Sequence, residues 1–407
     1  MFNAVGIDVS KGKSTVMVLQ PGGNVVRKPF DVPHSHRDLC SLTNYLASLE
    51  GETRAVLECT GHYHEPVLRT LSNAGIFVSA VNPHLIRNYG NNTIRKVKSD
   101  PADARKIAHY TLDNWVDLRQ YSAMDTTREQ LKALNTQMDF FTKQKAAARN
   151  NLIALLDMTY PGVNKLFTSP PREDGSEKWL DYAASFWHVD CVRQLGLKAF
   201  TERYQSFCKR HGYNYQPNKP QELFENAKEL VACWPKERTY RELILSAIKQ
   251  LNTTIGSVES IREEMNRLAS TLPEYETVMS MSGVGKTLGP QLMAEIGDIT
   301  RFTHREALTA FAGVDPGVSQ SGQFSARSNN ASKCGSSRLR KTLFLVMTSL
   351  LQKAPQDDPV YLFLDKKRSE GKPYLVYMTA GANKFLRIYY GKVKAFLASQ
   401  EAQELAE

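Results

Sequence analysis

The feature that most constrains this chain is its first strand-like stretch, AVGIDVS, where an acid interrupts an apolar run. Successive side chains of a strand alternate faces, so Val5, Ile7 and Val9 point one way and Gly6, Asp8 and Ser10 the other. One face is ready for a core. The other brings a carboxylate to a place where it must reach water or meet a partner. An exposed edge acid is the plain reading, and a functional acid is the alternative.

The rest of the first 120 residues fixes the setting. STVMVLQ and VVRKPFDV read as strands separated by the turn signal PGGN, followed by a helix near Ser35 to Leu49. RAVLECT, a helix from about His62, and IFVSAVNP come next. Three strands in meander, then strands separated by helices, predict a mixed sheet flanked by helices, the order of a ribonuclease H-like domain. The expected fold class is α/β plus α.

Beyond residue 120 the period becomes helical. Thr126 to Asp157 carries Leu131, Leu134, Met138, Phe141 and Leu152 on one stripe, and Glu242 to Leu272 carries Ile244, Leu251, Ile255, Val258, Ile261 and Met265. Two such helices are expected to pack on each other or on a second chain. Between them lies a Trp- and Tyr-rich insert, read as a helical subdomain or interface. The expected divisions are 1–120 for the α/β domain, 121–272 for the long helices with an insert at about 158–241, 273–350 for a third unit, and 351–407 for a helical extension.

With 407 residues the chain is long enough for two or three domains, and a formal charge of +10 favours a polyanionic partner, of which nucleic acid is the commonest. Six cysteines lie far apart with no C-x-x-C pair, so they read as reduced structural thiols of a cytoplasmic protein. No signal-peptide layout and no apolar run of about 18–20 residues is present, and Leu343 to Leu351 reads as a core helix.

Three further acids join Asp8 as candidates. Glu58 stands near the carboxyl end of the apolar strand RAVLECT, where α/β sheets place functional groups. KSDPADARKIA offers Asp100 and Asp103, which share a helix face. Asp100 as an N-cap with Pro101 at the first helical position explains the same residues, so spacing leaves capping and metal binding open. Four carboxylates at one point repel one another unless divalent cations neutralise them. Mg2+ fits an all-oxygen site; two ions would serve phosphodiester chemistry, and Mn2+ is an expected substitute.

The cations are grouped too. Lys11, Arg95, Lys96, Lys98, Arg105 and Lys106 flank the acids. From Pro316 to Gln356 there is no acidic residue, while Arg327, Lys333, Arg338, Arg340, Lys341 and Lys353 are present. A one-sign stretch of that length favours phosphate contact. In SGVGKTLG, Gly283, Gly285 and Lys286 resemble a helix-hairpin-helix turn that offers amides to a phosphate, and a tight helix–helix turn explains them equally well.

GIDVSK, ECTG, KSDPADARKIA, AEIGDITRF, AFAGVDP, QSG and SKCGSSRLR together resemble the DEDD transposases of the IS-one-ten insertion-sequence family, over roughly residues 1–155 and 255–350. The resemblance implies a transposase that cleaves, exchanges and rejoins DNA strands. It implies that Asp8, Glu58, Asp100 and Asp103 are the four RuvC-like acids and that Ser321 is a nucleophile forming a phosphoserine link to DNA. It also implies donor and target double-stranded DNA, a noncoding bridge RNA as guide, and a homodimer pairing into a tetramer. The insert and the tail after residue 351 have no identified counterpart in compact relatives. A RuvC-like nuclease without a serine intermediate, and an inactive RNA- or DNA-binding relative, are the alternatives. An actin-like kinase would need D-G-T or G-G-T phosphate loops, which are absent.

Overall fold

The computed structural model describes residues 1–404 apart from 60, 91–98, 122–123, 318–319, 322–323 and 326–329, and within 318–329 it describes backbone alone. The chain divides into two compact units, Met1–Ala123 and Met124–Glu407.

In the first unit, β1 (Phe2–Ser10), β2 (Lys13–Gln20) and β3 (Asn24–Pro33) form the antiparallel meander expected from the turn signals. After α1 (His36–Ala47) come β4 (Glu52–Glu58), α2 (Glu65–Asn73), β5 (Phe77–Val81), α3 (Pro83–Asn88) and α4 (Asp100–Asp113). The sheet order is β3-β2-β1-β4-β5, with β4 parallel to β1 and to β5. This is the ribonuclease H-like mixed sheet. Helix α1 opens where Ser35 Oγ accepts from Asp38 N at 3.2 Å, an N-cap that stops the preceding extended backbone.

Both faces of β1 are covered. Val5, Ile7 and Val9 join Leu39, Leu42 and Leu46 of α1 and Val67, Leu68 and Leu71 of α2 in one core. On the opposite face lies α4, with Ala104 and Ala108 against Met17 and Leu19. The approach is close because Gly6 has no side chain: a Cβ there would stand 2.2 Å from Ala108 N and 2.4 Å from Ala104 O. Small residues on both elements thus let the helix lie on the strand.

The second unit starts with α5 (Thr126–Asp157). An aromatic-rich insert follows, containing α6 (Lys178–Ser185), α7 (Asp190–Arg193), α8 (Leu197–His211) and α9 (Lys219–Glu229), and α10 (Arg238–Ala269) returns from it. Helices α5 and α10 pack on each other along their length. Leu152 and Leu156 share a core with Ile244, Leu251 and the fully buried Tyr160, Tyr182 and Tyr204. Leu131 and Met138 share another with Val258, Met265 and Leu268. Because opposite ends of the two helices meet, the pair is antiparallel.

That second core continues through α11 (Tyr275–Met279), α12 (Leu288–Ile296), α13 (Arg305–Ala312), the hairpin β6 (Gln320–Ser321) and β7 (Phe324–Ser325), and α14 (Ser337–Lys353). Leu343, Val346, Met347 and Leu350 of α14 are fully buried. The tail folds back on the same core: α15 (Pro359–Ser369) contributes Leu364, and α16 (Tyr374–Glu404) contributes Met378, Phe385, Leu386 and Tyr389. Among the described residues no helix is long and apolar enough to cross a membrane.

Replacing Gly6 with alanine forces α4 off β1. Gly6→Ala is expected to cost about 2–3 kcal/mol or more, as overpacking against rigid backbone does. The check is the denaturant midpoint of the first unit's unfolding transition. A midpoint equal to that of the wild type contradicts the close approach.

Candidate active site

Four carboxylates are drawn together where α4 begins. Asp8 is near the end of β1, and the parallel register that pairs Ile7 with Leu57 brings Glu58 alongside it. Gly6 and Asp8 share the face on which α4 lies, so the first turn of that helix, holding Asp100 and Asp103, sits over Asp8. Burial, and then repulsion from Asp103, Asp100 and Glu58, pushes the Asp8 carboxyl up to about 6, against the pull of Lys13. Burial and Asp103 likewise raise Glu58, with Lys106 opposing.

The helix start differs from the expectation that Asp100 is the cap. Ser99 occupies the N-cap, Asp100 is the first helical residue and Pro101 the second. The Asp100 carboxylate turns to Lys13 Nζ at 3.7 Å, and Lys13 also meets Asp31 at 2.8 Å. The negative first turn still suits the positive end of the helix dipole. Capping alone does not explain why two acids face a third and a fourth.

The donor set is chemically suited to a hard divalent cation, since every candidate ligand is a carboxylate oxygen. Among the described residues no three His, Cys, Asp or Glu side chains converge closely enough to hold an ion as they stand. The acids are therefore neighbours in one electrostatic field, without a closed ligand shell.

Of the flanking cations, Lys11 is exposed in the β1–β2 turn, and Arg105 is exposed on α4. Lys106 donates to the Arg87 carbonyl at 3.2 Å. Arg95, Lys96 and Lys98 lie outside the described residues. Lys13 is the basic residue that sequence reasoning passed over. No local pattern marks it: it gains its place by opening β2 directly opposite Ser10, two residues beyond Asp8.

In the second unit Ser321 sits in the two-residue strand β6, where it pairs with Phe324 of β7. Arg327 is outside the described residues. The basic stretch expected to meet phosphate is partly engaged within the protein. Arg340 donates to the Ala312 carbonyl at 2.9 Å, Arg338 to Thr136 Oγ1 at 3.0 Å, and Lys341 to Asp139 at 2.7 Å. Lys333 is exposed, with a left-handed φ of 53°, in the loop before α14. Gly283, φ 81°, leaves room for α14, since a Cβ there would meet Leu350 Cγ at 2.7 Å. Packing accounts for that glycine, while Gly285 and the exposed Lys286 complete the turn into α12.

Two residues of the matching motifs have structural work that their pattern did not reveal. The buried Glu295 carboxylate accepts from Asn135 Nδ2 at 2.8 Å and from Ser336 Oγ at 2.9 Å. Ser336 also caps α14 by accepting from Leu339 N at 3.1 Å. A buried carboxylate supplied with donors on both oxygens ties α5, α12 and α14 together.

A family model described as a transposase of the DEDD type matches residues 5–161, and one described as the transposase IS116/IS110/IS902 family matches residues 275–362. The mini-circle protein for IS117 of Streptomyces coelicolor is 24% identical over 333 residues, covering 78% of this chain and 77% of the relative. The pilin gene-inverting protein of Moraxella bovis is 24% identical over 229 residues, covering 50% of this chain and 69% of the relative. A structure of Thermus thermophilus RuvC matches at TM-score 0.23 and 16% identity, over 29% of this chain and 99% of that one. With models of this one family matching residues 5–161 and 275–362, the chain belongs to the IS110 family of transposases.

Proposed function

We propose that this transposase excises and inserts its own element through Mg2+-dependent cleavage and rejoining of DNA strands, with Asp8, Glu58, Asp100 and Asp103 as metal ligands and Ser321 as nucleophile. The observation that carries the metal reading is the crowding at the start of α4, where three other carboxylates and burial raise the Asp8 carboxyl to about 6. Such a site is poorly suited to stand alone at neutral pH and well suited to neutralisation by hard cations. Bound Mg2+ would supply that neutralisation and polarise a phosphodiester oxygen.

The serine role rests on the family resemblance and on chemistry. Ser321 Oγ attacks the phosphorus, one P–O bond to a deoxyribose breaks, and the departing hydroxyl takes up a proton. The seryl phosphodiester stores the bond energy until a hydroxyl of a second strand attacks the same phosphorus and releases Ser321. Donor and target double-stranded DNA are the substrates. A noncoding bridge RNA that pairs with both would supply sequence choice, in keeping with a broadly basic protein. A homodimer, paired into a tetramer, would hold the two DNAs. Reversal of a DNA segment, named for the Moraxella relative, is a rearrangement of the same chemical class. A RuvC-like nuclease using water is the second reading, since it needs the same acids.

Two variants and the copurifying nucleic acid test this reading. Ser321→Ala is expected to bind DNA normally, to form no covalent protein–DNA adduct on denaturing gels and to rejoin no strands; normal rejoining would establish the water reading instead. Asp8→Asn is expected to lower strand cleavage by more than about 100-fold, since even outer-shell changes cost 10- to 100-fold. Without metal the same variant is expected to melt a few degrees higher at pH 7. Asp8 titrates at 3.8 in an open chain and at about 6 here, so its contribution to stability is present below pH 4 and is lost as pH rises through 6. Asp8→Asn should remove that slope, and Mg2+ should raise the melting temperature of the wild type but not of the variant. For the guide, the purified protein is expected to carry one discrete RNA whose loops match donor and target; recombination indifferent to RNA removal would end that part of the proposal.

A further inference from the structure

The insert between α5 and α10 contains a cleft of about 370 Å³ that the catalytic reading does not use. Its lining carries three cations, Arg172, Lys178 and Lys219, and no acid. Lys178 and Lys219 are the first residues of α6 and α9, where the helix dipole favours negative charge, so positive potential is concentrated at this mouth. Of the first-turn acids, Asp181 accepts from Tyr213 Oη at 2.7 Å, and the exposed Glu222 pairs with Lys219 of the cleft itself at 2.6 Å, a surface pair that an incoming phosphate must displace.

Among the described residues Lys178 has no carboxylate partner. Its ammonium stands 5.2 Å from the Phe167 ring, 5.8 Å from Tyr204 and 5.1 Å from Tyr213. Burial lowers its pKa, and Lys219 and Arg172 press in the same direction. The Arg172 guanidinium lies 4.2 Å over the Tyr213 ring and donates to the His211 carbonyl at 2.7 Å, which fixes it at the edge of the cleft. Ser176 also lines the cleft, its N–H donating to Asp174 Oδ1 at 2.9 Å. The exposed amides of Asn214 and Gln216 complete the rim with paired donors and acceptors.

We propose that this cleft holds one unstacked nucleotide of a single-stranded nucleic-acid segment, its phosphate against Lys178 and Lys219 and its base against the Arg172, Phe167 and Tyr213 planes. A basic groove with aromatic and guanidinium planes is how proteins hold single strands, because each nucleotide brings a charge and a π-face together. The volume lies at the lower end of the range for small-ligand sites, enough for a single base rather than a duplex. The inference rests on the insert alone and stands whether or not Ser321 is the nucleophile.

The test uses the full chain and two 12-nucleotide probes, one DNA and one RNA, each with a single 5-iodouracil, followed by ultraviolet crosslinking and peptide mapping. Adducts on Phe167 or Tyr213 are expected, and whether DNA or RNA gives the higher yield identifies the strand. Lys178→Gln and Lys219→Gln are each expected to reduce that adduct roughly 10-fold, a loss on the order of one stacked or charge-paired nucleotide. Each is also expected to make the salt dependence of probe binding shallower by about 0.7 in log–log slope. Lys219→Gln, at a partly exposed helix start, keeps the test informative if Lys178→Gln does not fold. Adducts found only outside the insert, or unchanged in both variants, overturn the proposal. So does inorganic phosphate or adenosine monophosphate binding there, lost in the variants, while neither strand crosslinks.

Discussion

The approach of α4 to β1 over Gly6 is the constraint on which the first unit turns. Backbone meets backbone there, with the small Ala104 and Ala108 on the helix side of the gap. A helix packed against a sheet through larger residues stands farther off, and its first turn would then carry Asp100 and Asp103 away from Asp8. The same contact that builds the core therefore sets the spacing of the acids. Repulsion among them is the electrostatic consequence, and it is tolerated because the sheet and the helix are each held by separate apolar faces.

The helical unit relies on a different device. Antiparallel α5 and α10 run from one core to another, so the insert and the α11–α16 assembly are joined by a shared pair of helices. At the far end Glu295, Asn135 and Ser336 hold three helices through a satisfied buried carboxylate. Such a group specifies one arrangement, because displacing either partner leaves a buried carboxylate oxygen without its donor. Several cations that a linear reading assigns to DNA are part of this framework. Arg340 is the clearest case, since its guanidinium is turned toward backbone carbonyls.

Much of this was legible from residue order. The alternation in AVGIDVS separated a core face from a functional face, and PGGN with its flanking strands announced the meander. Both long helices appear where their apolar stripes predict them, with α5 spanning the whole of Thr126–Asp157. Less legible were features that depend on distant residues. Lys13 acquires meaning only when β2 folds back beside β1 and α4 arrives more than 80 residues later. Asp100 yields the cap to Ser99 because the helix begins one residue earlier than the S-D-P pattern suggests, with Ser99 the last extended residue. The basic cleft of the insert brings Arg172, Lys178 and Lys219 together from two helix starts and a loop, a convergence no local period encodes.

By itself the sequence determined the elements, their amphipathic faces and the kinds of side chain present, because local backbone preference and apolar periodicity are properties of neighbouring residues. Tertiary structure decided which charges meet. Asp8 and Glu58 are brought alongside by a parallel register, Asp100 and Asp103 are placed over them by a glycine, and Arg338, Arg340 and Lys341 are drawn into the framework by α5 and the end of α13. Electrostatic energy depends on distance and on exclusion of water, and both are set only once the chain has folded.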